Sequence, residues 1–155
     1  MRRCLIVAML LTTPHLAAAQ PAVDRDAVIA AVQRFFDALG ARDVAAMKAI
    51  VLMEGSFFAV REDGSVRPTP IAQFVDRLPA GKEKFLERMW NPEVKVHGGI
   101  ATLWAPYDFY RDGKFSHCGI DAFDLVKSPE GWKIAGGTFT IEKSNCPASP
   151  LGPPK

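Results

Sequence analysis

The sequence is poor in the features that mark the large functional classes. It has no run of basic residues. After residue 19, Lys and Arg number 17 against 17 Asp and Glu, a balance that leaves nucleic acid no electrostatic footprint to bind. No apolar stretch beyond the first 19 residues approaches the length that spans a bilayer. The three cysteines include no ligand-spaced cluster, so neither a zinc framework nor any other metal site is expected. There is no phosphate loop, nucleophile elbow, zinc-helix motif or internal repeat, and no cofactor is expected.

The chain begins with a pattern of secretory type. Arg2 and Arg3 precede the apolar core Cys4–Leu11, and Ala17-Ala18-Ala19 supplies a small-residue cleavage site before Gln20. Residues 1–19 therefore read as a signal peptide, and the protein as periplasmic or secreted, without membrane attachment once the signal is removed. Residues 20–145 form one domain. Residues 146–155, with Pro147, Pro150, Pro153 and Pro154, read as a disordered tail. In an oxidising compartment Cys118 and Cys146 are candidates for a disulfide. The alternative is a buried free Cys118 with an exposed Cys146.

Three helices are expected before the main sheet. Val28, Ile29, Val32, Phe35, Phe36 and Leu39 form one helical stripe, with Asp24 as N-cap and Gly40 as stop. Asp43 caps a second helix carrying Val44, Met47, Ile50 and Val51. Thr69-Pro70 starts a third with Ile71, Phe74, Val75 and Leu78. Residues 55–68 read as strand, turn and strand, 82–88 as polar helical or irregular, and 94–97 as a strand.

The sheet itself is expected over 100–141. Arg111-Asp112-Gly113-Lys114 and Ser128-Pro129-Glu130-Gly131 separate three strands. A two-residue turn at Asp112-Gly113 pairs Tyr110 with Phe115, Asp108 with His117, Trp104 with Asp121 and Thr102 with Phe123. All would share one face, with two acids and a histidine among aromatics. A one-residue bulge would break this register. The other face, with Leu103, Ala105, Tyr107, Cys118, Ile120 and Val126, is also apolar, so the sheet is expected to be covered on both sides.

The helix VIAAVQRFFDALGARDVAAM, the strand HGGIATLWAPYDFY and the closing GIDAFDLVKSPEGWKI resemble the nuclear transport factor 2-like superfamily, especially its exported SnoaL-like and lumazine-binding-like members. The resemblance covers about 24–143. It implies an α+β, cone-shaped (cystatin-like) fold, with three N-terminal helices packed on a curved, mainly antiparallel sheet, an apolar pocket between them, and dimerisation through the outer sheet face. Gly119-Ile120-Asp121-Ala122-Phe123 is similar to the run in ketosteroid isomerases that holds a protonated acid. The isomerase tyrosine has no match at Phe35-Phe36, and its base would fall at Ala59-Val60, so steroid isomerisation is not expected.

The candidate catalytic residues are Asp121, whose carboxyl would be held protonated in an apolar pocket, and His117 oriented by Asp108. Each has a purely structural alternative, as a hydrogen-bonded member of the sheet. The candidate ligand-binding residues are Trp104, Tyr107, Tyr110, Phe35 and Phe123; the bland reading of that aromatic stripe is ordinary core. Three functions stay open: binding of a small apolar or aromatic molecule; a lyase, cyclase or isomerase using His117, Asp108 and Asp121; and a protein-interaction or immunity-type module.

Overall fold

The computed structural model describes residues 20–154; the signal segment expected at 1–19 lies outside them. Helix α1 spans Gln20–Ala41 and buries Val28, Val32, Phe35, Phe36 and Leu39 of its apolar stripe. Its ends differ from expectation. Asp24 lies inside the helix and accepts from Lys127 Nζ at 2.6 Å instead of capping. Gly40 does not stop it; Arg42 does, at φ 54°. That left-handed backbone is unfavourable for a side chain, but it lets the Arg42 guanidinium donate to Leu78 O at 2.9 Å and to Glu83 O at 3.1 and 2.6 Å. Helix α2, Val44–Ile50, is capped by Asp43, whose Oδ1 accepts from Ala46 N at 2.9 Å.

Strands β1 (Ser56–Arg61) and β2 (Val66–Pro70) form a hairpin. Helix α3 follows at Ile71–Arg77. Its cap position is Pro70, with Thr69 still paired in β2. Residues 82–88 depart most from expectation, because they enter strand β3, Phe85–Met89. Phe85, Glu87 and Met89 share one face of it, and an acid among the inward residues hides the period-two pattern. Strand β4 (Glu93–His97), β5 (Ile100–Arg111), β6 (Lys114–Ser128) and β7 (Gly131–Ile141) complete one sheet, in the order β2-β1-β7-β6-β5-β3, with β4 also on β5. All pairs are antiparallel except β1 with β7. The sheet curves over α1, which supplies most of the helical side of the core.

The β5–β6 pairing decides what faces that core. Asp112 and Gly113 turn at φ 49° and 73°, as a two-residue hairpin of this hand requires. Arg111 faces Lys114 and Tyr110 faces Phe115. Ser116 is then passed over. Phe109 faces His117, Asp108 faces Cys118, Ala105 faces Asp121 and Leu103 faces Phe123. This one-residue bulge exchanges the faces expected for β6 relative to β5. Asp121, His117 and Phe123 share the concave face with Leu103, Ala105 and Tyr107, while Trp104, Asp108 and Tyr110 project from the other.

Cys118 and Cys146 are bonded, with Cα atoms 5.8 Å apart across a sequence separation of 28. The bond fastens the segment after β7 to the middle of β6. Loop-closure entropy for such a span corresponds to about 2–4 kcal/mol. Cys146→Ser is therefore expected to lower the urea-unfolding free energy by about that amount, measured against wild type with and without reductant.

Candidate functional site

A cavity of about 450 Å3 opens between the concave sheet face, α1, α3 and the β1–β2 hairpin. Strand alternation builds its wall. Phe57, Ala59 and Arg61 of β1, Tyr107, Phe109 and Arg111 of β5, and His117, Asp121 and Phe123 of β6 all reach it. Phe35, Phe57, Phe74 and Phe123 pack against one another with centroids 5.3–6.4 Å apart. These rings form part of the wall without filling the space.

Of the residues singled out in the sequence, Asp121, His117, Tyr107, Phe35 and Phe123 line the cavity. Trp104, Asp108 and Tyr110 do not, because the Ser116 bulge turns them to the outer face. Trp104 is 54% exposed there. Asp108 takes a two-pronged ion pair from Arg88, Nε to Oδ1 at 2.9 Å and Nη2 to Oδ2 at 2.5 Å. Tyr110 Oη accepts from the same guanidinium at 3.3 Å, and its ring packs on Phe115. The Asp108–His117 relay is thus not formed. His117 instead has Nδ1 3.0 Å from Ser116 Oγ and stacks on Phe109 at 4.8 Å. Burial, followed by the charges of Arg111 and Lys143, pushes its pKa down to about 4, so the ring is neutral at neutral pH. Tyr107 donates to Thr140 O at 2.6 Å. Burial, with the nearby acids behind it, holds that phenol well above its usual range.

The partner of Asp121 is a residue that the sequence reading passed over. Asp121 is 1% exposed, and its Oδ2 meets no N–H or hydroxyl donor among the described residues. What lies within hydrogen-bonding reach is the carboxyl of Glu87, on the inward face of β3. Asp121 is fully buried and Glu87 half-buried, and two carboxyls in contact away from bulk water satisfy each other by sharing a proton. Burial raises both. It pushes Glu87 up to about 8, and Asp121, which burial raises first and the Glu87 charge raises further, keeps the bridging proton. The pair is therefore largely uncharged at neutral pH. The one signal for Glu87 was the spacing Phe85-x-Glu87-x-Met89, which the charges flanking it obscured. Among the described residues no cluster of His, Cys, Asp and Glu is arranged to hold a metal ion, and no helix is long and apolar enough to cross a membrane.

The acid pair has a signature in stability. A carboxyl at about 8 folded and 4.5 in the reference state binds more protons folded, so stability falls as pH rises through that window. His117 acts in the opposite sense. With a pKa of about 4 against 6.5, its contribution is present above pH 6.5 and fades as pH falls. The two oppose each other below pH 6.5, leaving the carboxyls alone above it. The Glu87 carboxyl alone is expected to lower the urea-unfolding free energy by about 1–2 kcal/mol between pH 6.5 and pH 8, and Glu87→Gln is expected to make that slope shallower.

Comparison with known proteins agrees with this architecture. A family model described as "putative lumazine-binding" matches residues 23–140. Among solved structures, a nuclear transport factor 2-like protein from Cytophaga hutchinsonii superposes with a TM-score of 0.64 at 11% identity, covering 76% of this chain and 97% of its own. A nuclear transport factor 2-like protein with a cystatin-like fold from Novosphingobium aromaticivorans gives 0.62 at 16% identity, covering 83% and 88%. A Mycobacterium tuberculosis protein of unknown function gives 0.69 at 16% identity, covering 83% and 78%. The search of curated proteins found no match. With its N-terminal helices packed on a curved sheet and a family match over nearly the whole domain, the chain belongs to the lumazine-binding-like family, and it shares the fold of nuclear transport factor 2-like proteins.

Proposed function

We propose that this chain is an exported domain that takes a small, partly apolar molecule into the cavity and orients it with the Glu87–Asp121 pair. The observation that carries this reading is a pair of adjoining acids, Glu87 and the fully buried Asp121, on the wall of a largely apolar chamber. Cavities of this size and lining are the usual form of small-molecule sites. When both carboxyls are protonated, one proton links them and the other is available to a carbonyl or hydroxyl of the ligand. Neutral His117 supplies a further polar contact, and Tyr107, Phe35 and Phe123 supply apolar surface. The lumazine-binding description of the family fits a ligand of this kind.

A second reading rests on the same pair. A carboxyl titrating near 8 beside a second one that burial also raises is suited to proton transfer at neutral pH, so a lyase, cyclase or isomerase would use Asp121 and Glu87 as its acid and base groups, with His117 beside them. The Asp108 relay has no part in it. The Cys118–Cys146 bond fits an oxidising compartment. The exposed outer-face residues Trp104, Leu86 and Phe115 fit a homodimer assembled through that face.

The cavity reading is tested by native mass spectrometry of protein purified without detergent. Wild type is expected to carry a small-molecule adduct that is lost on denaturation. Ala59→Phe, which places a ring in the chamber, is expected to lack it, and release is expected to increase above pH 8 as the acid pair ionises. A wild-type chain free of adduct, with an unfolding temperature unmoved by apolar carbonyl compounds, would overturn the reading.

A further inference from the structure

The mouth of the cavity has a chemistry that its interior does not explain. Eight arginines follow residue 19, and five of them, Arg42, Arg61, Arg67, Arg77 and Arg111, line this one cavity. The chain as a whole is near neutral, so this is a local concentration of charge. Its placement follows from the fold. Arg61 continues the inward row Phe57-x-Ala59 at the end of β1, and Arg67 sits opposite Ala59 on the same face of the hairpin. Arg77 is in the last turn of α3, and Arg111 ends the inward row Tyr107-x-Phe109 of β5.

Two of the five are occupied. Arg42 donates to main-chain carbonyls, and Arg111 lies 3.8 Å from Glu83. Arg61, Arg67 and Arg77 make no ion pair or side-chain hydrogen bond among the described residues. Glu83, which is exposed and already paired, is the one other acid on the cavity lining besides the pair deeper in. Cationic side chains around an apolar concavity focus a positive potential at its mouth, and guanidinium groups match carboxylate and phosphate oxygens two at a time.

Building on the binding reading above, we infer that the ligand is amphiphilic: an apolar, preferably aromatic, body seated in the cavity and an anionic head, carboxylate, sulfonate or phosphate in character, held at the mouth by Arg61, Arg67 and Arg77. A neutral molecule of the same shape would forgo the head contacts. A molecule carrying its charge at the inner end would meet the acid pair without a compensating cation.

Two fluorescent probes that differ in one group test this. 8-Anilinonaphthalene-1-sulfonate carries the anion, and N-phenyl-1-naphthylamine is the same ring system without it. At low salt the sulfonate is expected to bind about tenfold more tightly, and the margin is expected to shrink in 0.5 M NaCl, about a 4 Å screening length. The triple variant Arg61→Gln/Arg67→Gln/Arg77→Gln changes exposed side chains. It is expected to lose the margin while keeping wild-type affinity for the neutral amine, which also reports that the chamber is intact. Ala59→Phe is expected to abolish binding of both probes. Equal affinities in wild type, or a margin that survives the triple variant, would overturn the arginine assignment and leave the cavity reading standing. Failure of both probes to bind wild type would overturn the two together.

Discussion

The β5–β6 pairing is the constraint on which the rest of the molecule depends. It is the longest ladder of the sheet, it turns on Asp112-Gly113, and it contains one unpaired residue close to the turn. Because side chains alternate along a strand, that single unpaired residue assigns every later side chain of β6 to a face. It turns Asp121 and His117 to the concave side beside Tyr107. The same step leaves Asp108 and Tyr110 to Arg88 on the outside, where Asp108 is satisfied by two charge-assisted bonds. Two polar groups thus form, one on each side of the sheet, with different physics. The outer one is an ion pair with matched charges. The inner one has acids only, and burial resolves it by proton retention instead of by a counter-ion.

The inner group is where structure and chemistry meet. Carboxyls that hold protons at neutral pH act as hydrogen-bond donors, a role that ionised acids cannot fill. Their surroundings keep them so. Phenylalanine rings line the chamber, the His117 ring is neutral, and among the described residues no cation pairs with either carboxyl. On the binding reading proposed above, an interior that is neutral but able to donate, beneath a positive entrance, would distinguish the two ends of a molecule that enters.

Much of the fold was legible in the sequence. The α1 stripe, the Asp43 cap, both hairpin turns and the closing strand each had a local signal, and the sheet residues resembled the family that the comparisons identify. The site was legible only in part. Asp121, His117, Tyr107, Phe35 and Phe123 were expected at a pocket, and they line the cavity. Trp104, Asp108 and Tyr110 were placed beside them by assuming an unbroken ladder, and a single bulged serine has no compositional signature. Glu87 was missed for another reason. Strand β3 is a five-residue edge segment, stabilised by pairing with β5 and not by its own propensity, so the short Phe85-x-Glu87-x-Met89 alternation was too weak a pattern to announce its inward acid. The end of α1 was misplaced because a glycine is the ordinary stop, whereas here the carbonyls across the gap make an arginine serve.

That arginine has a consequence for how the entrance behaves in solution. Arg42 closes helix α1 and at the same time straps the segment from Leu78 to Glu83 to it, with its guanidinium also lying over the Phe85 ring at 4.3 Å. Its hydrogen-bond partners are main-chain oxygens, which neither titrate nor depend on ionic attraction. Added electrolyte that masks the neighbouring cations therefore leaves this strap fastened. The doorway keeps its shape while its charge is dimmed, so on the amphiphilic-ligand reading ionic strength would tune recognition separately from the architecture that frames it.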